Sequence, residues 1–244
     1  MTEEDLIRLN KYLADMGIAS RRNVDEMILQ GRIVVNNEVV RELGTKINPN
    51  RDVIEVNGKK VDTLQQLTYI ALNKPRGVIS SVTDPQGRKT VTDIVKARER
   101  LYPVGRLDQD SQGLILLTND GDLAYRLTHP RFHIPKIYEA LISGAVKQEQ
   151  IDEMGKGVKL EEGMTAPAQV RELRRDYGKT LLEITLFEGK KRQIRRMCAV
   201  IHLHLLQLRR IQVGPIRLAE LEEGKWRSLT REEIELLRQA VKAH

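Results

Sequence analysis

The chain has 244 residues, 40% of them hydrophobic, and carries 41 Lys+Arg against 34 Asp+Glu for a net charge of +7. That apolar content supports real cores, the charge balance favours a polyanionic partner, and no apolar run approaches the roughly 20 residues a membrane-spanning helix needs. The lone Cys198 excludes an intrachain disulfide and a cysteine-built zinc site, and the acidic start Thr2-Glu3-Glu4-Asp5 lacks the pattern of an export signal, so a cytoplasmic globular protein is expected.

In chain order, Leu9, Tyr12, Leu13 and Met16 recur at i, i+3, i+4 and i+7, which predicts one face of a helix ended near Gly17. Ser20 is placed to cap a second helix, Val24, Met27 and Ile28 give its buried stripe, and Gly31 supplies the left-handed residue that ends it. Ile33-Val34-Val35 and Val39-Val40 then flank Asn36-Asn37, and Val53 to Val56 run into Asn57-Gly58, the strongest short hairpin signal in the chain. Helix, helix, hairpin and strand within residues 1–62 make a small module, with residues 63–67 as its linker.

From residue 68 to 244 the pattern is that of one mixed, strand-rich domain, for an α+β protein as a whole. Strands are expected at Tyr69 to Leu72, Leu114 to Leu117, Ile137 to Ile142, Ala168 to Leu173, Leu181 to Leu186 and Leu205 to Val213. The clearest helices run from Arg192 to Ile201 and from Arg231 to Val241, the latter opened by Thr230 with Glu233 as a capping box.

Charge is distributed unevenly along this pattern. Residues 1–62 hold ten basic and eleven acidic side chains, whereas residues 188–217 hold eight basic and one acidic. In the first module Arg8, Lys11, Arg21, Arg22 and Arg32 lie on or beside the two helices, where first-turn amides and guanidinium groups suit a phosphate, although a solvated face gives the same spacing.

Gly105-Arg106-Leu107-Asp108-Gln109-Asp110-Ser111-Gln112-Gly113 couples an acidic loop to a buried strand. Asp108, Asp110 and Gly113 fit three positions of a calcium loop, but Asn119 stands where a bidentate Glu is required; a turn-satisfying aspartate and a catalytic carboxylate are the other readings. Glu188 to Met197 reads as a strand ending in a glycine turn that opens a helix, with Ile194, Met197, Cys198 and Ile201 apolar and Arg192, Arg195 and Arg196 opposite. An arginine there could brace a carboxylate in a cleft, or simply face solvent. His202 and His204 have no acidic or cysteine cluster beside them, and neither a Walker loop nor a dinucleotide fingerprint is present.

Several motifs in order carry a family resemblance. Arg8-Leu9-Asn10-Lys11-Tyr12-Leu13 with Gly17-Ile18-Ala19-Ser20-Arg21-Arg22 resembles the RNA-binding module named after ribosomal protein S-four. Ala71-Leu72-Asn73-Lys74-Pro75-Arg76-Gly77, Gly105-Arg106-Leu107-Asp108, Lys136-Ile137-Tyr138, Gln193-Ile194-Arg195-Arg196-Met197 and Gly224-Lys225-Trp226-Arg227-Ser228-Leu229-Thr230 are similar to the RsuA/RluB/RluE/RluF group of ribosomal-RNA pseudouridine synthases, with Asp110-Ser111-Gln112-Gly113 most like the RluF branch.

The resemblance implies a mainly antiparallel mixed sheet and isomerisation of uridine in ribosomal RNA, chiefly of the large subunit, with small-subunit ribosomal RNA or transfer RNA as the alternative substrates. It implies Asp108 as the catalytic aspartate, Tyr138 as the aromatic under the target uracil, and Arg195 as the salt-bridge partner of Asp108. The expected RNA footprint comprises Arg8, Lys11, Arg21, Arg22, Lys74, Arg106, Lys190, Lys191, Arg192 and Arg196; no cofactor and no metal are expected, and the lack of a sustained helical dimer seam in the sequence predicts a monomer. An aromatic face can hold a rotating base at about 1–3 kcal/mol of stacking. Whether the carboxylate adds to the base, attacks the sugar or removes a ribose proton stays open, as do an inactive RNA-binding protein and a base-releasing hydrolase.

Overall fold

In a computed structural model, which describes residues 6–61 and 66–242, the chain forms two units, residues 1–67 and 68–244. The acidic start at residues 2–5 and positions 63–65 of the expected linker lie outside the described residues.

The first unit runs β1 (Ile7–Arg8), α1 (Leu9–Asp15), α2 (Arg21–Leu29), β2 (Ile33–Val35), β3 (Glu38–Val40), β4 (Lys46–Ile47), β5 (Ile54–Val56) and β6 (Lys59–Lys60). Local chemistry sets these boundaries. The Ser20 hydroxyl accepts from Asn23 N at 3.2 Å to cap α2, and Gly17 and Gly31 take the left-handed conformation where each helix ends. Asn36-Asn37 and Asn57-Gly58 all have positive φ, the requirement of the two-residue turns that close β2–β3 and β5–β6. Leu9, Leu13, Val24, Ile28 and Ile33 bury completely or nearly so against Ile47 and Ile54, and this cluster makes the unit's core.

The second unit contains β7 (Tyr69–Lys74), α3 (Val91–Ile94), β8 (Tyr102–Pro103), β9 (Gln112–Thr118), α4 (Gly121–Thr128), a 3-10 turn at Pro130–Phe132, β10 (Lys136–Ser143) and α5 (Gln148–Lys156). It continues through β11 (Lys159–Leu160), β12 (Gly163–Met164), β13 (Gln169–Asp176), β14 (Lys179–Leu186), α6 (Gln193–Val200), β15 (His204–Val213), β16 (Ile216–Arg217), β17 (Trp226–Ser228) and α7 (Arg231–Ala240). Nine strands form one sheet in the order β13-β14-β10-β15-β9-β7-β17, with β16 on β15 and β8 on β9. Every pairing within it is antiparallel except β15 with β9, where Arg209 meets Gln112 and Arg210 meets Gly113.

That short parallel seam separates two packed halves. On one side β7 and β9 are apolar on both faces, which matches their burial between α4 with α7 and the segment containing α3. On the other, β10, β14 and β15 pack Ala140, Ile142, Leu182, Ile184 and Leu208 against α5 and α6. The expected capping box forms, with Thr230 Oγ1 accepting from Glu233 N and Glu233 accepting from Thr230 N at 2.9 Å. Two expectations shift. The strand placed at Ala168 to Leu173 extends to Asp176, paired with β14, and the helix placed from Arg192 begins at Gln193, because Arg192 is itself left-handed at φ 50°. Among the described residues no helix is long and apolar enough to cross a membrane.

Candidate active site

Across the seam of the second unit lies a cleft of about 330 Å³. The loop after β8 supplies Arg106 and Asp108, β10 supplies Lys136 and Tyr138, the turn after β14 supplies Lys190, Lys191 and Arg192, and β15 supplies Arg210.

The Asp108 loop is held from below. Leu107 exchanges two hydrogen bonds with the buried Ser80, donating N–H to Oγ at 3.0 Å and accepting from Oγ at 2.8 Å. Gly77 N donates to Gln109 O at 2.8 Å, and Ser111 N closes the turn onto Asp108 O at 3.1 Å. The segment that grips this loop is itself tied by Lys74, whose ammonium donates to Pro75 O at 3.0 Å and Val78 O at 2.8 Å.

Lys74 therefore corrects an expectation. It was assigned to the RNA footprint, but it is fully buried, and burial pushes its pKa down to about 8 against the opposing pull of Asp108 and Asp110. Its motif places it at the end of a strand buried on both faces, so its reach is spent inward. Lys74→Met, which keeps the aliphatic stem, is expected to lower stability by about 1–3 kcal/mol through the unmet carbonyls. Denaturant melts and salt titrations of RNA binding check this: a footprint lysine would instead reduce the salt slope by about 1.

A second correction concerns Arg195. It does not pair with Asp108: its Nη2 donates to Asp110 O at 3.0 Å and Ser111 Oγ at 3.2 Å, and its Nε lies 3.3 Å from Asp110 Oδ2, within ion-pair range but not aligned as a hydrogen bond. The turn that follows Asp108 presents the Asp110 carboxylate to α6 first. Arg192 takes the position nearer Asp108, with Nη1 3.9 Å from Asp108 Oδ2 and both terminal nitrogens on the Asp110 carboxylate at 3.1 and 3.0 Å. Burial alone would raise the pKa of Asp110, but the Arg192 hydrogen bonds and the Arg195 charge outweigh it and hold the carboxyl below its usual value. A left-handed arginine stores of order 1 kcal/mol of strain or more, retained where the surroundings over-determine it.

Tyr138 projects into the cleft while packing against apolar residues of both halves. Arg106 is exposed at the rim, and Lys190 donates to Met164 O at 2.7 Å from the cleft wall. Arg196 is absent from the lining and pairs with Glu162 at 2.7 Å. Arg8, Lys11, Arg21 and Arg22 belong to the first unit, where Arg21 and Arg22 are exposed at the start of α2. Residues 112–118 form a strand where a calcium loop has to wrap round its ion.

Reading the motifs missed three contributors: Asp110 as the anchor of both arginines, and Lys136 and Arg210 in the cleft. The available signal was Lys136 standing two residues before Tyr138, on the same strand face.

A carboxylate, a tyrosine face and a rim of cations thus meet in one cleft. Residues 68–200 match the RNA pseudouridylate synthase family and residues 7–53 match the S4 domain, and the chain belongs to that synthase family: it is an RNA pseudouridine synthase. It is 45% identical to an uncharacterized RNA pseudouridine synthase of Aquifex aeolicus (strain VF5), covering 96% of this chain and 95% of that one. It is 44% identical to the ribosomal large subunit pseudouridine synthase B of Bacillus subtilis (strain 168), covering 95% of each. It is 36% identical to the dual-specificity RNA pseudouridine synthase RluF of Escherichia coli O157:H7, covering 96% of this chain and 79% of that one. A crystal structure of a pseudouridylate synthase superposes with a TM-score of 0.69 at 31% identity, covering 95% of this chain and 99% of the other.

Proposed function

We propose that this synthase isomerises a specific uridine of large-subunit ribosomal RNA, with Asp108 as the catalytic carboxylate and Tyr138 as the face on which the uracil rests. The observation that carries the reading is the meeting of Asp108, Tyr138 and Arg192 in one cation-lined cleft. The name of the Bacillus relative supports the choice of RNA, and the dual-specificity name of the Escherichia relative supports testing transfer RNA as a second substrate.

The target uridine leaves its stack at a cost of a few kcal/mol, smallest in loops and single strands. Arg106 at the rim fills the vacated space, Lys190 and Lys191 meet phosphates, and the uracil settles on Tyr138 beside Asp108. Arg192 supplies positive charge to that carboxylate, while Arg195 keeps the loop in place through Asp110. The ribose-to-nitrogen bond then breaks, the base turns, and carbon 5 bonds to the ribose. Residues 1–62 add affinity through Arg8, Lys11, Arg21 and Arg22. The enzyme acts as a cytoplasmic monomer without metal or cofactor.

Mapping pseudouridines in RNA from a strain lacking the protein tests the substrate: one large-subunit position is expected to revert to uridine, and reversion confined to small-subunit or transfer RNA would overturn that choice. Free uracil in place of pseudouridine would identify a hydrolase. Binding is expected to weaken steeply with salt, the logarithm of the affinity falling linearly with log salt at a slope set by the number of phosphates contacted; salt-insensitive binding would remove the proposed footprint.

A further inference from the structure

Lys136 and Tyr138 share one face of β10, since side chains alternate along a strand, and Arg210 stands directly opposite Tyr138 in the β10–β15 register. All three line the cleft, with Leu186 and Leu208 as apolar neighbours. Arg210 is 4% exposed; its Nε donates to Leu114 O at 2.7 Å, and its buried Nη2 has no acceptor. Among the described residues Lys136 makes no hydrogen bond or ion pair, and burial pushes its pKa down to about 8 with the Arg210 charge acting in the same direction. The carboxylates of the cleft do not answer this charge. Asp108 faces Arg192, and Glu188 accepts from Ala166 N at 2.9 Å and Gln193 Nε2 at 2.7 Å.

Two cations held beside an aromatic platform without a counter-charge are unfavourable in the empty cleft and favourable when the occupant brings negative charge there. We propose that Lys136 and Arg210 form an oxyanion-accepting pair that takes up the charge released onto the uracil when its bond to ribose breaks. The inference rests on the reading of the cleft given above. When the C1′–N1 bond breaks, its electron pair stays with the base, giving an anion shared between N1 and the carbonyl oxygens. Where Asp108 attacks the sugar or removes the 2′ proton, C1′ is satisfied by an Asp108 oxygen or by loss of that proton, and these two routes produce the same anion. When C5 bonds to C1′ the base becomes neutral and Asp108 leaves or returns its proton; loss of the C5 proton and gain of one at N1 then give pseudouridine. Cations placed where this charge appears, and fixed before it appears, favour the breaking of the bond over the binding of the substrate.

The test is single-turnover bond cleavage with enzyme in excess, on RNA carrying uridine or 5-fluorouridine at the target. Lys136→Met is expected to slow the uridine reaction by about 10²–10³-fold with the salt slope of RNA binding unchanged. Because fluorine stabilises the departing anion, the ratio of wild-type to variant rates is expected to shrink with 5-fluorouridine. Lys136→Arg, which keeps the charge, is expected to recover most of the rate, and Arg210→Lys to lose less than a neutral replacement; thermal melts of all variants separate chemistry from folding. An unchanged rate, an equal loss on both bases, or a salt slope reduced by about 1, as for a phosphate contact, would overturn the proposal. Retention of cleavage by Asp108→Asn would instead overturn the reading of the cleft itself.

Discussion

Asp108→Asn is expected to abolish pseudouridine formation, by on the order of 10⁴-fold or more, while RNA still binds. Asparagine preserves the volume of the side chain and the backbone bonds of its turn, in which Ser111 N donates to Asp108 O and Ser80 brackets Leu107. What disappears is a negative oxygen able to bond to ribose or remove its proton. Removing one negative charge from a cation-lined cleft should leave RNA affinity equal or slightly tighter. Release of tritium from carbon-5-labelled uridine in the target RNA measures the loss directly. Asp110→Asn is the informative partner. Asp110 is outside the cleft lining and occupied by Arg192 and Arg195, so its replacement should loosen the loop and reduce activity much less. If Asp110→Asn were the dead variant and Asp108→Asn the active one, the assignment of the carboxylate would have to be exchanged.

Gly113→Ala is expected to be the most damaging single change to stability, at about 3–5 kcal/mol, or on the order of 10 °C in Tm. Gly113 has φ 107°, a conformation side chains rarely adopt, and lies against Arg210 across the parallel seam. An added Cβ would press on the Arg210 carbonyl oxygen and sit 2.7 Å from Arg210 N, both backbone atoms that cannot swing aside. Because the displaced residue is one of the two proposed oxyanion acceptors, activity should fall further than the loss of folded protein accounts for. Thermal melts combined with activity per folded molecule check both parts; a melt within about 2 °C of the parent would show that the seam yields easily.

Much of this was legible where local chemistry decides. Asn57-Gly58 announces its turn because both residues must take positive φ, and Thr230 with Glu233 announces a helix start because the reciprocal bonds are only three residues apart. The Asp108 loop stood out for the same reason, as an acidic turn entering an apolar strand. The partner of Asp108 was not legible. Choosing between Arg192 and Arg195 depends on how a left-handed residue and the first turn of α6 meet a loop about 85 positions earlier, and nothing local encodes that distance. Lys74 misled because a lysine is read as surface by default, whereas here its buried ammonium satisfies two backbone carbonyls. Arg210 was hidden as one more basic residue in a basic stretch, and only the sheet order reveals that it faces Tyr138.

The narrow parallel contact between β9 and β15 also bears on how a newly made molecule becomes competent. Asp108 arrives with the strands on one side of that contact, Tyr138 and Arg210 with those on the other, and the two paired residues Gly113 and Arg210 are separated by nearly a hundred positions. Contacts of such long range form late, after the cost of closing a large loop has been met. The catalytic centre therefore depends on this one pairing, and turnover is expected only once the strands on its two sides have met.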